Sequence, residues 1–376
     1  MRNKYLWSLK EKAFRTWANV RGWRTARRII VFESDDWGAI RMRDPKALRA
    51  LQRQGVCLDK SRYHDLDCLE NREDLEGLFG LLDSYRDQHG NPPIFTFNTV
   101  MGNPNFEAIR ADQFERYTHE SLWRSYQRYH GESLQQLWVQ AMGASLIRPQ
   151  FHAREHLNVR PWMNDLRDGR DETRRSFDQD YYGLTLQSSS LQGRSYLAAY
   201  WPESAEHLRE IQEIVLDGLN KFEEEFGFRS RTFVACNYVL PRELEAIIAE
   251  KGVRLIQGQR GQFQPTHNGS GSVRRSYTGM RNQNNQIYSV RNVMFEPYIN
   301  ESKDWVASAV KEIGESFAWG KPAIISTHRI NYVSGMNQRH RDRTLYLLDD
   351  LLRRVLSRWP DIEFMSSDRL LSLIDS

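Results

Sequence analysis

From residue 28 onward, short runs rich in β-branched and aromatic residues alternate with longer stretches whose apolar positions recur three and four apart. That alternation marks a mainly parallel sheet whose strands are joined by helical crossovers. The runs Arg28–Glu33, Ile94–Asn98, Pro149–His152, Arg231–Cys236, Arg254–Gly258, Gln286–Phe295, Ala323–His328 and Ile362–Ser366 read as strands. Helical spacing covers Pro45–Gln54, Arg72–Tyr85, Leu134–Leu146, Ala205–Phe226, Arg242–Lys251, Lys303–Phe317 and Arg341–Arg358. The pattern predicts an α/β fold, a (β/α) barrel of roughly seven to eight mostly parallel strands. Two stretches escape it: residues 157–203, rich in Arg, Asp, Tyr and Ser, and the polar Gln259–Asn285. Both read as long loop insertions over one face. With no internal repeat and no long Pro- or Ser-rich linker, residues 28–376 are expected to form a single domain.

Composition narrows the class. At 40% hydrophobic and 12% aromatic residues the chain is too rich in core-forming side chains to be disordered. No run of apolar residues is long enough to span a bilayer, and charges interrupt the first fifteen residues where a signal peptide needs an apolar core. A cytoplasmic location is the expectation. The cysteines Cys57, Cys68 and Cys236 fall in no CxxC spacing and cannot all pair with one another, so free thiols are expected.

The charge is unevenly placed. Residues 1–28 hold nine Lys or Arg against the single acid Glu11, although the whole chain is only +4. Leu6, Leu9, Ala13, Trp17 and Val20 recur among those cations at helical spacing, so residues 1–27 read as a basic amphipathic helix. Such a helix either packs on the main domain or rests on an anionic surface, which would place the protein peripherally at the inner membrane face. Nothing else supports nucleic-acid binding: no zinc-finger spacing, RNP-like strand or helix-turn-helix pattern accompanies the basic stretch.

Three polar groups end predicted strands, the place where ligands bind in parallel α/β folds. Asp35-Asp36-Trp37-Gly38 follows the apolar run Ile29–Phe32; His152-Ala153-Arg154-Glu155-His156 follows Gln150-Phe151; and His328 closes Ile324-Ile325-Ser326-Thr327. Adjacent carboxylates after a buried strand repel each other and call for a nearby cation or a shared proton. Two imidazoles four apart can converge on one metal ion, and an Asp with two His completes the protein ligands of an open zinc-type site. Each group read alone also has a structural explanation: a helix cap, ordinary core histidines, a satisfied lone imidazole.

Together, in this order and spacing, they resemble the polysaccharide deacetylases, carbohydrate esterases with a NodB-like, distorted TIM-type barrel. The resemblance spans roughly residues 28–370, and Ser326-Thr327-His328-Arg329-Ile330-Asn331-Tyr332 looks like a bacterial branch found with surface-polysaccharide genes. It implies that Asp36, His152 and His156 hold a divalent metal, zinc by preference. It further implies that Asp35 is the general base, that His328 protonates the leaving amine, and that the substrate is an N-acetylated sugar of a polysaccharide or its precursor.

The chain departs from the family pattern in places. Trp37 intervenes before Gly38, where it would narrow the pocket, and Ala153 replaces the usual Ser or Thr. The family's Arg-x-Pro-aromatic segment, whose arginine orients the base, aligns with Phe233–Tyr238, placing Val234 at the arginine and Cys236 at the proline. Arg291 and Glu296 are the candidates to replace the missing polar partner, with a core-edge salt bridge as the competing reading; Asn237 and Tyr238 join them and Trp37 as candidate substrate contacts. Tyr181, Tyr182, Tyr196, Tyr200 and Trp201 either stack on sugar rings or cover the barrel end. Three other functions compete: a carbohydrate-binding barrel without turnover, a glycoside hydrolase using paired carboxylates, and an HxxEH metalloprotease in which Glu155 is the base.

Overall fold

The computed structural model describes residues 20–58, 62–184, 195–268 and 270–376. Nine parallel strands make the main sheet: β1 (Arg28–Trp37), β2 (Phe95–Val100), β3 (Ile147–Ala153), β4 (Thr232–Val234), β5 (Leu255–Gly258), β6 (Ile287–Val290), β7 (Val293–Met294), β8 (Ala323–His328) and β9 (Ile362–Met365). Their order is β6-β5-β4-β3-β2-β1-β8-β7, with β9 paired to the start of β1. The predicted strand Gln286–Phe295 is in fact β6 and β7, broken at Arg291-Asn292. Its first half pairs with β5 and its second with β8, so one short segment lies at both ends of the strand order and curls the sheet into a (β/α) barrel.

Helices cover the outside, and their ends are written locally. Asp44 accepts from the backbone N–H groups of Lys46 and Ala47 to start Pro45–Arg53. Asn71 and Asp74 form a reciprocal capping box on Arg72–Asp83, and Ser204 and Gly227 bound Ala205–Phe226. Alternate residues of β1 face opposite layers. Ile30 and Phe32 pack outward, where Phe32 stacks on Phe95 with ring centroids 4.7 Å apart. Ile29 and Val31 face inward onto Leu370 of the C-terminal helix Ser367–Asp375, which closes the lower end of the barrel. Above that apolar plug the interior turns polar, with Glu33, Thr96, Asn98, Gln150, Thr232 and Gln257 all fully buried. Pattern alone did not announce this layer, because its members are single polar residues inside apolar runs.

Two loop expectations are corrected. Residues 157–203 contain the helices Val159–Arg167 and Asp171–Phe177, since Trp162, Met163, Leu166 and Phe177 build a separate apolar cluster with Phe106. The segment Gln259–Asn285 carries a hairpin, Gly261–Pro265 with Gly271–Arg275. Most of the basic amphipathic helix expected at 1–27 lies outside the described residues. The backbone at residues 21–23 is anchored: the Lys321 ammonium donates to the carbonyls of Arg21, Gly22 and Trp23 at 2.7, 2.9 and 2.8 Å. Among the described residues no helix is long and apolar enough to cross a membrane.

Candidate active site

Neighbours on a strand normally point to opposite faces, which would separate Asp35 from Asp36. A bulge prevents this. Ser34 pairs with Phe97 but the next registered pair is Trp37 with Thr99, so β1 holds one extra residue, and Asp36 sits there at φ 77. Both carboxylates therefore reach the barrel mouth. A second bulge, between the pairs Thr99–Phe151 and Val100–Ala153, falls on His152. Gly38 then lets the chain leave: at φ +85 it lies so close to its neighbours that a Cβ would sit 2.8 Å from the Val100 carbonyl oxygen.

The mouth holds a cavity of about 390 Å³ whose lining includes Asp35, Asp36, His152, His156 and His328. The Oδ1 of Asp36 lies 3.5 Å from Nε2 of His152 and 3.4 Å from Nε2 of His156. These separations approach the edge of a tetrahedron around a zinc ion with ligand bonds of about 2.0 Å, which is roughly 3.3 Å. The imidazole of His152 is oriented by an Nδ1 contact with the Val234 carbonyl at 2.8 Å, an arrangement typical of metal-binding histidines. Nδ1 of His156 is buried without a hydrogen-bond partner. Donor types, burial and spacing all suit a divalent cation. Burial disfavours the Asp36 charge, yet Arg41, His152 and His156 outweigh it and hold the carboxyl well below the usual range. Burial, aided by the Arg41 charge, pushes His156 down into its neutral form.

Asp35 is held differently. The Arg291 guanidinium grips it with two bonds of 2.7 Å, Nη1 to Oδ2 and Nη2 to Oδ1, and reaches Glu33 through Nε at 2.8 Å. Asn98 adds a bond to Oδ1 at 2.7 Å. Against the cost of burial, Arg291 keeps Asp35 ionised below its ordinary pKa. Arg291 thus occupies the seam between β6 and β7 and makes the buried salt bridge that was one of its two readings. His328 stands across from Asp35, Nε2 to Oδ2 3.5 Å, and its Nδ1 meets Oε1 of Glu296 at 2.6 Å. Burial alone would lower this imidazole; the charge and hydrogen bond of Glu296, with Asp35 and Asp36 behind, raise it to about 9.

Asn237 and Tyr238 do line the cavity, on a tight turn where both take positive φ, and the Tyr238 hydroxyl accepts from Arg291 at 2.9 Å. Trp37 does not narrow the pocket. It is 1% exposed, stacked on Phe97 in the outer core, and its Nε1 donates to Ser34 at 2.9 Å, because the bulge turns it away from the mouth. Glu155 fails as a protease base: it is buried against Arg154, with bonds of 2.6 and 2.7 Å, and His152 lies at the end of a strand while His156 lies in the bend after it, neither on a helix. Of the five candidate stacking aromatics only Tyr181 reaches the cavity. Tyr182, Tyr196 and Tyr200 are core, and Trp201 packs on Phe263.

Further participants went unflagged by sequence. Arg41 lines the cavity beside Tyr63, with Nη2 3.1 Å from Asp36 Oδ1. Cys236 lies under the histidines, Sγ 3.8 Å from His152 Nε2. Asn98 and Gln257 bond each other beneath Asp35. Polar residues inside predicted strands were the only signal for the last pair, and nothing local marks Arg41.

No family model matches this chain, and no curated protein matches it in sequence. Solved structures resemble it in arrangement. A protein of Mycobacterium smegmatis assigned to the polysaccharide deacetylases aligns at 10% identity and TM-score 0.46, covering 94% of this chain and 93% of its own. PuuE allantoinase aligns at 9% and 0.44, covering 93% and 91%. The 4-α-glucanotransferase of Thermococcus litoralis aligns at 9% and 0.42, covering 93% of this chain but 40% of that one. At such identities the site stands on its own residues.

Proposed function

We propose that the chain is a metal-dependent hydrolase that removes the acetyl group from an N-acetylated sugar of a polysaccharide or its precursor. The observation that carries this reading is the meeting of two sets at one cavity: Asp36 within 3.5 Å of both His152 and His156, and Asp35 within 3.5 Å of His328. Asp36, His152 and His156 would hold the cation, zinc by donor chemistry. When bound, it supplies Lewis acidity that polarises an acyl carbonyl and acidifies water. Asp35, ionised and fixed by Arg291 and Asn98, takes the proton from the attacking water at Oδ2. His328 carries a proton on Nε2 at neutral pH and gives it to the departing nitrogen as the C–N bond breaks, leaving acetate and a free amine. Glu296 holds that imidazole in place, and Asn331 in turn holds Glu296 through a bond of 2.8 Å. The glycosidase reading is weaker here, since it leaves the convergence of Asp36 with His152 and His156 without a use.

The test is elemental analysis of the purified protein with assays of acetate release from N-acetylated oligosaccharides. One equivalent of zinc, lost with activity in Asp36→Ala and His152→Ala, is the expected result. A wild-type protein that takes up no divalent ion even after reconstitution overturns the reading.

A further inference from the structure

Among the described residues, Cys236 is a donor-bearing side chain at the centre that the deacetylase reading leaves unused. It is fully buried and lies one residue beyond β4, within the turn that also presents Asn237 and Tyr238. Its Sγ is 3.8 Å from Nε2 of His152, and one donor atom each of His152, His156 and Cys236 lie within 4.8 Å of one another. With a zinc–sulfur bond of about 2.3 Å and a zinc–nitrogen bond of about 2.05 Å, a tetrahedral ion separates S from N by roughly 3.6 Å. The observed spacing is close to that.

Two other roles fit less well. As a nucleophile paired with His152, Cys236 would need to meet an acyl group, but it has no exposed surface and does not line the cavity. As a plain core residue it would not need two imidazoles beside its sulfur.

We infer that Cys236 is a further metal ligand, giving the centre one thiolate beside His152, His156 and Asp36. This rests on the metal-dependent reading of the site. With Asp36, His152 and His156 the sulfur would complete four protein donors, so water or substrate from the cavity would have to enter as a fifth ligand. A thiolate donor favours zinc-like ions over the hard ions magnesium, calcium and manganese. Binding releases the thiol proton to solvent and makes uptake of the ion dependent on a reduced Cys236.

The experiment is cobalt(II) substitution followed by absorption spectroscopy, with the exposed Cys57 changed to Ser in every sample. A thiolate on cobalt(II) gives an intense near-ultraviolet charge-transfer band that nitrogen and oxygen donors do not. The band is expected in the otherwise wild-type protein and absent in Cys236→Ser, which should still show the weaker visible bands of bound cobalt. Zinc should bind Cys236→Ser more than about tenfold more weakly, the least that loss of even an outer partner of a ligand costs. The wild-type spectrum decides the question even if the variant folds poorly. Cobalt bound without the charge-transfer band overturns this inference alone, whereas failure to bind cobalt or zinc at all overturns it together with the metal-dependent function.

Discussion

Two buried clusters in this protein have the same composition and different access to the cavity. In one, Arg291 lies between Asp35 and Glu33; in the other, Arg329 lies between Asp67 and Glu70, bonding them at 3.0 and 2.9 Å. Arg329, Asp67 and Glu70 are wholly buried and none lines the cavity. They secure the turn after the aspartate pair, with Arg329 donating to the Ala39 carbonyl at 2.6 Å and Glu70 accepting from the Gly38 N–H at 2.9 Å. Burial pushes Asp67 up to about 6 despite its two arginines, while Asp35 is held down. An arginine between two acids therefore does not define a working site. Access does: Asp35 has His328 and an open cavity beyond it, and Asp67 has only Arg41, at 3.4 Å, between itself and Asp36.

Several variants would break or sharpen that contrast. The largest effect is expected on the working side, where His328→Ala should lower kcat by about 10²–10⁴ as general acid catalysis is lost, with a smaller loss of stability because the buried Glu296 loses its cationic partner. Comparable losses of rate and stability would instead make His328 structural. On the supporting side, Arg329→Met strands two buried carboxylates and should cost about 3–5 kcal/mol of stability by denaturant unfolding. Glu296→Gln should be milder and readable in the pH profile. His328 is raised above its ordinary value, so its acid form persists below about 9 and is lost above it. Removing the Glu296 charge should move the alkaline limb of kcat downward by about one unit or more, the equivalent of a charge-assisted hydrogen bond of about 1.5–3 kcal/mol. An unmoved limb would assign it to another group. The smallest effect is expected at Trp37→Phe, which loses one buried hydrogen bond worth about 0.5–1.5 kcal/mol and should leave KM unchanged; a shifted KM would return Trp37 to the pocket.

The segment Ser326–Tyr332 illustrates how much of the site was readable. Its chemistry stood out in sequence at His328, whereas Arg329 and Asn331 are there only part of a run resembling a family branch, with no role of their own. Folded, Arg329 pins the turn after Asp36, and Asn331 pins the carboxylate that charges His328. Their partners lie far away along the chain, which no local pattern encodes. The same holds for Arg291, whose salt bridge reaches Asp35 and Glu33 on a strand remote in sequence.

Periodicity, strand-end carboxylates and the His-x-x-x-His spacing by themselves pointed to the (β/α) barrel, its longest helices and the placement of Asp35, Asp36, His152, His156 and His328 at its mouth, because these follow from local propensity and from burying one face of each element. Only the tertiary structure decided which way adjacent residues point and who partners whom. Two bulges aim Asp35, Asp36 and His152 inward and send Trp37 outward, and closure of the barrel at residues 287–294 carries Arg291 to Asp35. A bulge adds one residue without changing the hydrophobic pattern, and a buried ion pair is made between strands remote in sequence, so neither leaves a local trace.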